Sequence, residues 1–165
     1  MSHTKAAVTY TVADVIEATG LKRRTVQFWA DKGVIQATSA TQEGGQGVHR
    51  SFTRNELVIA CLLHPLSLGW HKDQTRSLGE LKELAKTLRH LVRASVTRDD
   101  FNGAIAGKGR FYLILTWIFG GGIETWVGDA KDHNSFPGVM ERLKELSGRS
   151  EVLYLNEWLR PLRSM

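Results

Sequence analysis

The chain has 165 residues, of which 42% are hydrophobic and 24% charged, and it carries a formal net charge of +5. The apolar fraction suffices for a packed core, and the length suits one domain or two small ones. The single cysteine, Cys61, excludes an internal disulfide framework and a zinc site built from cysteines. No apolar run approaches the ~18 residues of a membrane span, and residues 1–8 lack the apolar stretch of a secretory signal. We therefore expect a cytoplasmic globular protein.

Most of the positive charge is concentrated in residues 22–54. This window holds six basic and two acidic residues, a net +4, whereas residues 101–165 hold eight basic and seven acidic residues. A local basic excess is the electrostatic footprint of a polyanionic partner. An ordinary solvated surface is the alternative interpretation of the same charges.

Two short helices joined by a glycine turn are predicted near the N-terminus. Thr11 and Asp14 have the spacing of a capping box, and Gly20 is suited to ending the first helix. The second helical pattern runs over about residues 22–32, and this pair of helices is typical of a helix-turn-helix. We expect the two aromatic residues of the second helix, Phe28 and Trp29, to be core anchors, with stacking on bases as the alternative.

A hairpin with a glycine-rich tip is predicted to follow. Residues 37–47 are rich in Thr, Ser, Gln and Gly, and residues 48–52 alternate as a strand does. A hairpin of this kind after a helix-turn-helix is a wing. Thr53 and Glu56 then have the spacing of a full capping box for an apolar helix, and we expect Pro65 to end or kink that helix.

A further capping box at residues 77–80 opens a helix with leucines at spacings of three, four and three. This seam lasts only about two heptads, which favours packing on a globular core with partial dimer contact. A short helix is predicted near residues 98–105. The four leucines of the seam are Leu81, Leu84, Leu88 and Leu91.

The C-terminal part is predicted as a small β-β-α-β unit. Two strands at residues 110–118 and 123–127 flank a glycine turn, an amphipathic helix runs over residues 139–146, and a third strand covers residues 151–159. The fold class is therefore α+β. We expect an N-terminal winged helix-turn-helix domain followed by a small α+β domain, at residues 9–95 and 108–165.

The N-terminal motifs share their order and spacing with one known family. They are similar to the winged helix-turn-helix of the MerR family of transcription regulators, over roughly residues 9–70 and more weakly to residue 92. The matching segments are Tyr10-Thr11-Val12, Gly20-Leu21, Thr25–Trp29, Lys32–Ile35, Arg50–Thr53 with Glu56-Leu57, Gly69-Trp70 and Ser77–Leu81. The resemblance implies a sequence-specific regulator of bacterial or phage type, associated with the nucleoid, that binds operator or promoter DNA.

Recognition in helix-turn-helix proteins uses the start of the second helix, which faces the major groove. Arginine and lysine there pair with guanine edges and phosphates, and wing residues contact the backbone or a neighbouring minor groove. Gln27 stands where the family usually has arginine. The DNA-binding residues expected on this basis are Lys22, Arg23, Arg24, Thr25, Gln27, Lys32, His49, Arg50 and Arg54.

The chain departs from the family beyond the wing. The usual metal-sensing cysteines are absent, so neither a metal nor another cofactor is expected, and the long dimer helix is not evident after Val92. We assign dimerisation to the C-terminal domain, and a symmetric homodimer reads an inverted repeat. Binding of an aromatic or cationic effector, of RNA polymerase or of a second regulator are open alternatives for this domain.

Two further function classes compete with a regulator. An excisionase-like or architectural DNA-binding factor of a phage or mobile element can use the same winged fold. An enzyme is disfavoured, because the sequence contains no glycine-rich phosphate loop, His-Glu metal motif or nucleophile motif. We therefore expect a DNA-binding protein without catalytic activity.

Overall fold

The structure is a computed structural model, and it describes residues 8–38, 50–68, 75–118, 122–131, 138–139, 141 and 149–165. It confirms the predicted α+β class, with helices and small antiparallel sheets. The chain divides into two compact units, Met1–Arg89 and His90–Met165. Among the described residues no helix is both long and apolar enough to cross a membrane.

The first unit begins with a short strand and two helices: β1 Tyr10–Thr11, α1 Val12–Thr19 and α2 Arg23–Asp31. The predicted capping box forms, since the Thr11 N–H donates to Asp14 Oδ2 at 2.6 Å and the Asp14 N–H donates to Thr11 Oγ1 at 3.3 Å. Gly20 ends α1 in the left-handed conformation, with φ 71°, where a side chain would be strained. The chain then turns directly into α2.

Strand β2, Ser51–Phe52, lies between two neighbouring segments. It pairs antiparallel with β1 on one side, and on the other the Thr38 N–H donates to the Ser51 carbonyl at 2.8 Å. An antiparallel bridge joins Ala37 to Phe52, whose ring is buried. Residues 37–38 and 51–52 thus form the base of the predicted hairpin. Its tip, including His49, lies outside the described residues.

Helix α3, Arg54–Ser67, forms much of the first unit's core. The Glu56 N–H donates to Thr53 Oγ1 at 3.3 Å, but the prediction of a full capping box is wrong, because the Glu56 carboxylate pairs with Arg89 instead. Of the two outcomes expected at Pro65, an end or a kink of the helix, the end is wrong, because α3 continues to Ser67. Proline in the last turn removes one backbone hydrogen bond, and the burial of Leu66 just beyond it favours continuing the helix.

Helix α4, Leu78–Arg93, begins at the predicted capping box and spans the boundary between the units. The Ser77 N–H donates to Glu80 Oε2 at 2.8 Å, and the Glu80 N–H donates to Ser77 Oγ at 3.3 Å. All four leucines of the predicted seam are buried in the single chain, as expected for core packing: Leu81, Leu84, Leu88 and Leu91.

The second unit contains a three-stranded antiparallel sheet in the order β4-β3-β5, and helix α5 packs against β3 and β4. The predicted short helix is confirmed but is longer than expected, and the predicted hairpin is confirmed as β3 and β4. Of the predicted helix at 139–146, residues 139 and 141 are helical and the rest lie outside the described part. The elements are α5 Ser95–Ala106, β3 Phe111–Trp117, β4 Ile123–Asp129 and β5 Arg149–Tyr154.

The prediction of a strand over residues 151–159 is wrong beyond Tyr154. The chain turns there into a short helix, α6 Leu155–Trp158, and a 3-10 helix, Arg160–Arg163. Asn156 requires this turn, because its side chain accepts from the Phe111 N–H at 2.8 Å and donates to the Gly109 carbonyl at 3.3 Å. Helical spacing also places the buried leucines on one side: Leu155, Leu159 and Leu162.

Candidate nucleic-acid interface

Helix α2 turns one face into the first unit and the opposite face outward. Val26 and Trp29 are buried, and Trp29 is only 3% exposed. At 3.6 residues per turn, the positions opposite these two are exposed and largely polar. The outward face consists of Arg24, Gln27, Phe28 and Asp31.

The start of α2 is strongly positive. Lys22, Arg23 and Arg24 are exposed there, and the first turn contains no acidic residue. No side chain caps this end by hydrogen bonding. The unpaired amides at a helix start carry partial positive charge, which adds to the three cationic side chains and favours an anion.

Arg50 joins the base of the hairpin to α2. Its Nη1 donates to the Gln27 carbonyl at 3.3 Å, and its Nη2 forms an ion pair with the Asp31 carboxylate. The side chains of Arg50 and Asp31 are 31% and 54% exposed, so water still reaches the pair. The contact holds the hairpin base beside the outward face of α2. It also neutralises the one acidic residue of α2.

The remaining predicted residues occupy different environments. Lys32 is exposed at the C-terminal cap of α2, and Arg54 is exposed at the start of α3, next to the hairpin base. Thr25 is half-buried, which leaves less of its hydroxyl accessible than the neighbouring arginines. No structural observation bears on His49, which lies among residues 39–49 outside the described part. Of the predicted set, Arg50 and Gln27 are brought into direct contact.

The expectation that Phe28 is a core anchor is wrong. Phe28 is 46% exposed, whereas its neighbour Trp29 is buried as expected. Adjacent residues on a helix point about 100° apart, and only one side of α2 packs on the first unit. The burial of Val26 and Trp29 decides which one turns outward.

A buried ion pair fixes the segment between α2 and the hairpin. Arg89 Nε donates to Glu56 Oε1 at 2.7 Å, and Arg89 Nη2 donates to Glu56 Oε2 at 3.1 Å. The same Oε2 accepts from the Gln36 N–H at 2.8 Å, and the same Nη2 donates to the Val34 carbonyl at 2.6 Å. The pair therefore holds the backbone of residues 34–36 from both sides, directly before the first strand segment of the hairpin. The sequence does not predict this pair, because Glu56 lies three residues after Thr53 and has the spacing of a capping box.

Two titratable groups of α3 contact the end of α1. The Cys61 thiol lies 4.0 Å from the Ala18 carbonyl, and burial raises its pKa to about 12. Burial lowers the pKa of His64, although a hydrogen bond with the Thr19 backbone opposes that change. Both groups are therefore neutral near pH 7, and neither adds charge beside the turn that leads into α2.

The second unit contains the aromatic residues considered for effector binding. Tyr112 and Tyr154 are cross-strand partners on β3 and β5, with ring centroids 5.1 Å apart. Five aromatic side chains of this unit that could contact an effector are half-buried: Tyr112, Trp117, Trp126, Tyr154 and Trp158. Such partial burial fits a structural role in the sheet as well as a ligand contact. Effector binding thus stays a prediction.

The chain matches no protein-family model, and a search of curated proteins finds no significant match.

Proposed function

We propose that this chain is a sequence-specific transcription regulator that binds operator or promoter DNA. In this proposal the first unit is a MerR-like winged helix-turn-helix, with α2 as its recognition helix and the hairpin after residue 37 as its wing. The observation that carries the proposal is the contact of Arg50 with α2. It keeps a basic helix and the base of a glycine-tipped hairpin side by side.

The charges of this surface match a nucleic-acid backbone. Lys22, Arg23 and Arg24 project from the start of α2, and Arg54 lies next to the hairpin base. Guanidinium groups bind phosphates and guanine edges with two parallel hydrogen bonds, whereas lysine supplies a compact charge. Because Asp31 is paired with Arg50, its carboxylate repels an approaching phosphate less than an unpaired carboxylate would.

The proposal includes a homodimer that reads an inverted repeat. The leucine seam of α4 is buried within the chain, which favours another surface for self-association. We assign this role to the second unit, which is close to neutral in charge and presents its own sheet. RNA polymerase, a second regulator or an effector are the other partners considered for that unit.

The experiment compares two double variants of the full chain that remove the same charge. Arg23→Ala with Arg24→Ala removes two cations from the start of α2, whereas Lys82→Ala with Lys86→Ala removes two exposed cations from α4. Binding to a mixed-sequence DNA duplex pool is measured by fluorescence anisotropy over a range of salt concentrations. We expect the arginine variant to bind at least about tenfold more weakly. Its log–log salt slope should be shallower by about 2.

The lysine variant is the matched control and should bind within about twofold of the original chain, because its charges lie outside the proposed interface. Failure of the original chain to bind duplex DNA would overturn the proposal. Equal weakening of the two variants would show that binding depends on net charge alone, and would overturn the assignment of α2 as the recognition helix.

A further inference from the structure

A large apolar side chain stands on the outward face of α2. Phe28 is 46% exposed, although burial in a core is the favourable state of a phenyl ring. A single exposed apolar side chain is common on a protein surface, so the side chains around Phe28 decide what kind of partner it suits. Phe28 lies outside the core of the first unit, and its ring is accessible to a partner of α2.

The neighbours of Phe28 identify the kind of surface. Arg24 precedes it by four residues and Lys32 follows it by four, so the three side chains succeed one another along one stripe of the helix. Gln27 and Asp31 flank the stripe, and Asp31 is held by Arg50. No second apolar side chain belongs to this outward face of α2. A protein-binding patch normally has a contiguous apolar centre, which is lacking here, whereas flanking cations suit a polyanion.

The major groove presents one apolar group at its base edges, the 5-methyl group of thymine. We propose that Phe28 is a specificity-determining residue that packs on a thymine 5-methyl group when α2 lies in the groove. This inference rests on the proposed function and assigns one base contact within it. Arg24 and Lys32, on either side of the ring along the stripe, bind the phosphate backbone or base edges nearby.

The chemistry of the phenyl ring determines which bases it can distinguish. A phenyl group has no hydrogen-bond donor or acceptor, so it cannot distinguish bases by their polar edges. It distinguishes thymine from cytosine by the methyl group that thymine carries. Uracil keeps the polar edge of thymine and lacks the methyl group, which makes it the diagnostic replacement.

The experiment uses the full chain and has two steps. Duplexes are first selected from a randomised DNA pool by the original chain, by Phe28→Ala and by Val96→Ala. Val96 is a matched control, since it is a large apolar residue, 86% exposed, on a helix of the second unit. We expect the original chain and Val96→Ala to enrich the same sequence, and Phe28→Ala to lose the preference for thymine at one position of each half-site.

In the second step that thymine is replaced by uracil in the selected duplex. The original chain should bind the uracil duplex about fourfold more weakly, the effect of losing one buried methyl group. Phe28→Ala should bind the two duplexes equally, and Phe28→Leu should keep part of the discrimination.

The outcomes separate this inference from the proposed function. Selection of a defined sequence that Phe28→Ala selects equally well would overturn the thymine contact and leave the regulator intact. So would equal binding of the thymine and uracil duplexes by the original chain. If the original chain enriches no sequence at all, the proposed function and the inference both fail. A partner protein that binds only when Phe28 is present, with DNA selection unchanged, would also overturn the thymine contact.

Discussion

Glu56 is a charged residue in the first turn of α3, directly before its apolar run, and it is only 3% exposed. Its carboxylate is stabilised by the Arg89 guanidinium and by the Gln36 N–H. A buried charge is tolerated only while its hydrogen-bond and ion-pair partners remain, because water cannot take their place inside the protein. The pair therefore fixes the backbone before the hairpin and makes the first unit sensitive to a single substitution.

Replacing Glu56 with alanine is expected to lower the free energy of unfolding by about 3–5 kcal/mol, since it leaves the Arg89 guanidinium buried without its carboxylate. Urea denaturation followed by circular dichroism measures the loss. Glu83→Ala, at an exposed position of α4, is the control and should change stability by no more than about 0.5 kcal/mol. Equal effects of the two substitutions would contradict the structural role given to the buried pair.

The burial of Cys61 predicts how the stability of the fold changes with pH and how readily its thiol is alkylated. Burial raises the pKa of its thiol to about 12, above the range in which a cysteine of the unfolded chain loses its proton. Between these two values the unfolded state releases a proton that the folded state keeps, so this group's contribution to stability falls as pH rises from about 9. We expect iodoacetamide to label Cys61 at that pH in urea and to leave it largely unlabelled in the folded chain. Rapid labelling of the folded chain would show that the thiol is accessible.

Residue-scale prediction from the sequence succeeds where the interaction is local. Thr11 with Asp14, and Ser77 with Glu80, form the capping boxes that their spacing predicts. Glu56 has the same spacing from Thr53 but turns to Arg89, 33 residues away, because a buried carboxylate gains more from a guanidinium than from a backbone amide. A short sequence segment around Glu56 cannot reveal this competition, because it does not contain Arg89.

At the scale of elements, the structure shows a contact between α2 and the hairpin base that the sequence does not predict. The sequence predicts a basic helix and a glycine-tipped hairpin separately, and Arg50 as a wing cation. The pairing of Arg50 with Asp31 and with the Gln27 carbonyl makes it a positioning residue as well. Asp31 thereby acquires a role in the proposed interface.

Replacing Asp31 with asparagine tests this link. The change removes a negative charge from the outward face of α2, while the amide oxygen of asparagine and the Gln27 carbonyl can still accept from Arg50 and hold the hairpin base in place. We expect tighter binding to the mixed-sequence duplex pool and a log–log salt slope steeper by about 1, as measured by anisotropy. Asp99→Asn, an exposed change in α5 that removes the same charge, should leave the slope unchanged. Weaker binding by the Asp31 variant would contradict this account and would indicate that the ion pair is needed for binding.

Element boundaries are predicted less well where tertiary contacts decide them. The end of β5 at Tyr154 follows from Asn156, whose side chain reaches backbone groups 45 and 47 residues earlier. The continuation of α3 past Pro65 follows in the same way from the burial of Leu66. Helix starts are set by side chains a few residues apart, and they agree better with the sequence.

At the scale of the whole molecule, the distribution of charge along the chain follows its division into two units. The basic window of residues 22–54 belongs to the first unit, and the nearly neutral residues 101–165 belong to the second. This division supports a DNA-binding unit joined to a unit for assembly or effector binding. Because fold does not determine function, the proposal depends on the residues of α2 and the hairpin base.

The most direct test of the account is to map, across the genome of the cell that makes this chain, the DNA cross-linked to the full chain. We expect discrete sites within promoters, each an inverted repeat, that disappear when Arg23 and Arg24 are both replaced by alanine. Tandem sites at recombination junctions would instead favour an excisionase-like factor and contradict a regulator. A map that is the same for the original chain and the double variant would contradict the central claim that α2 recognises DNA.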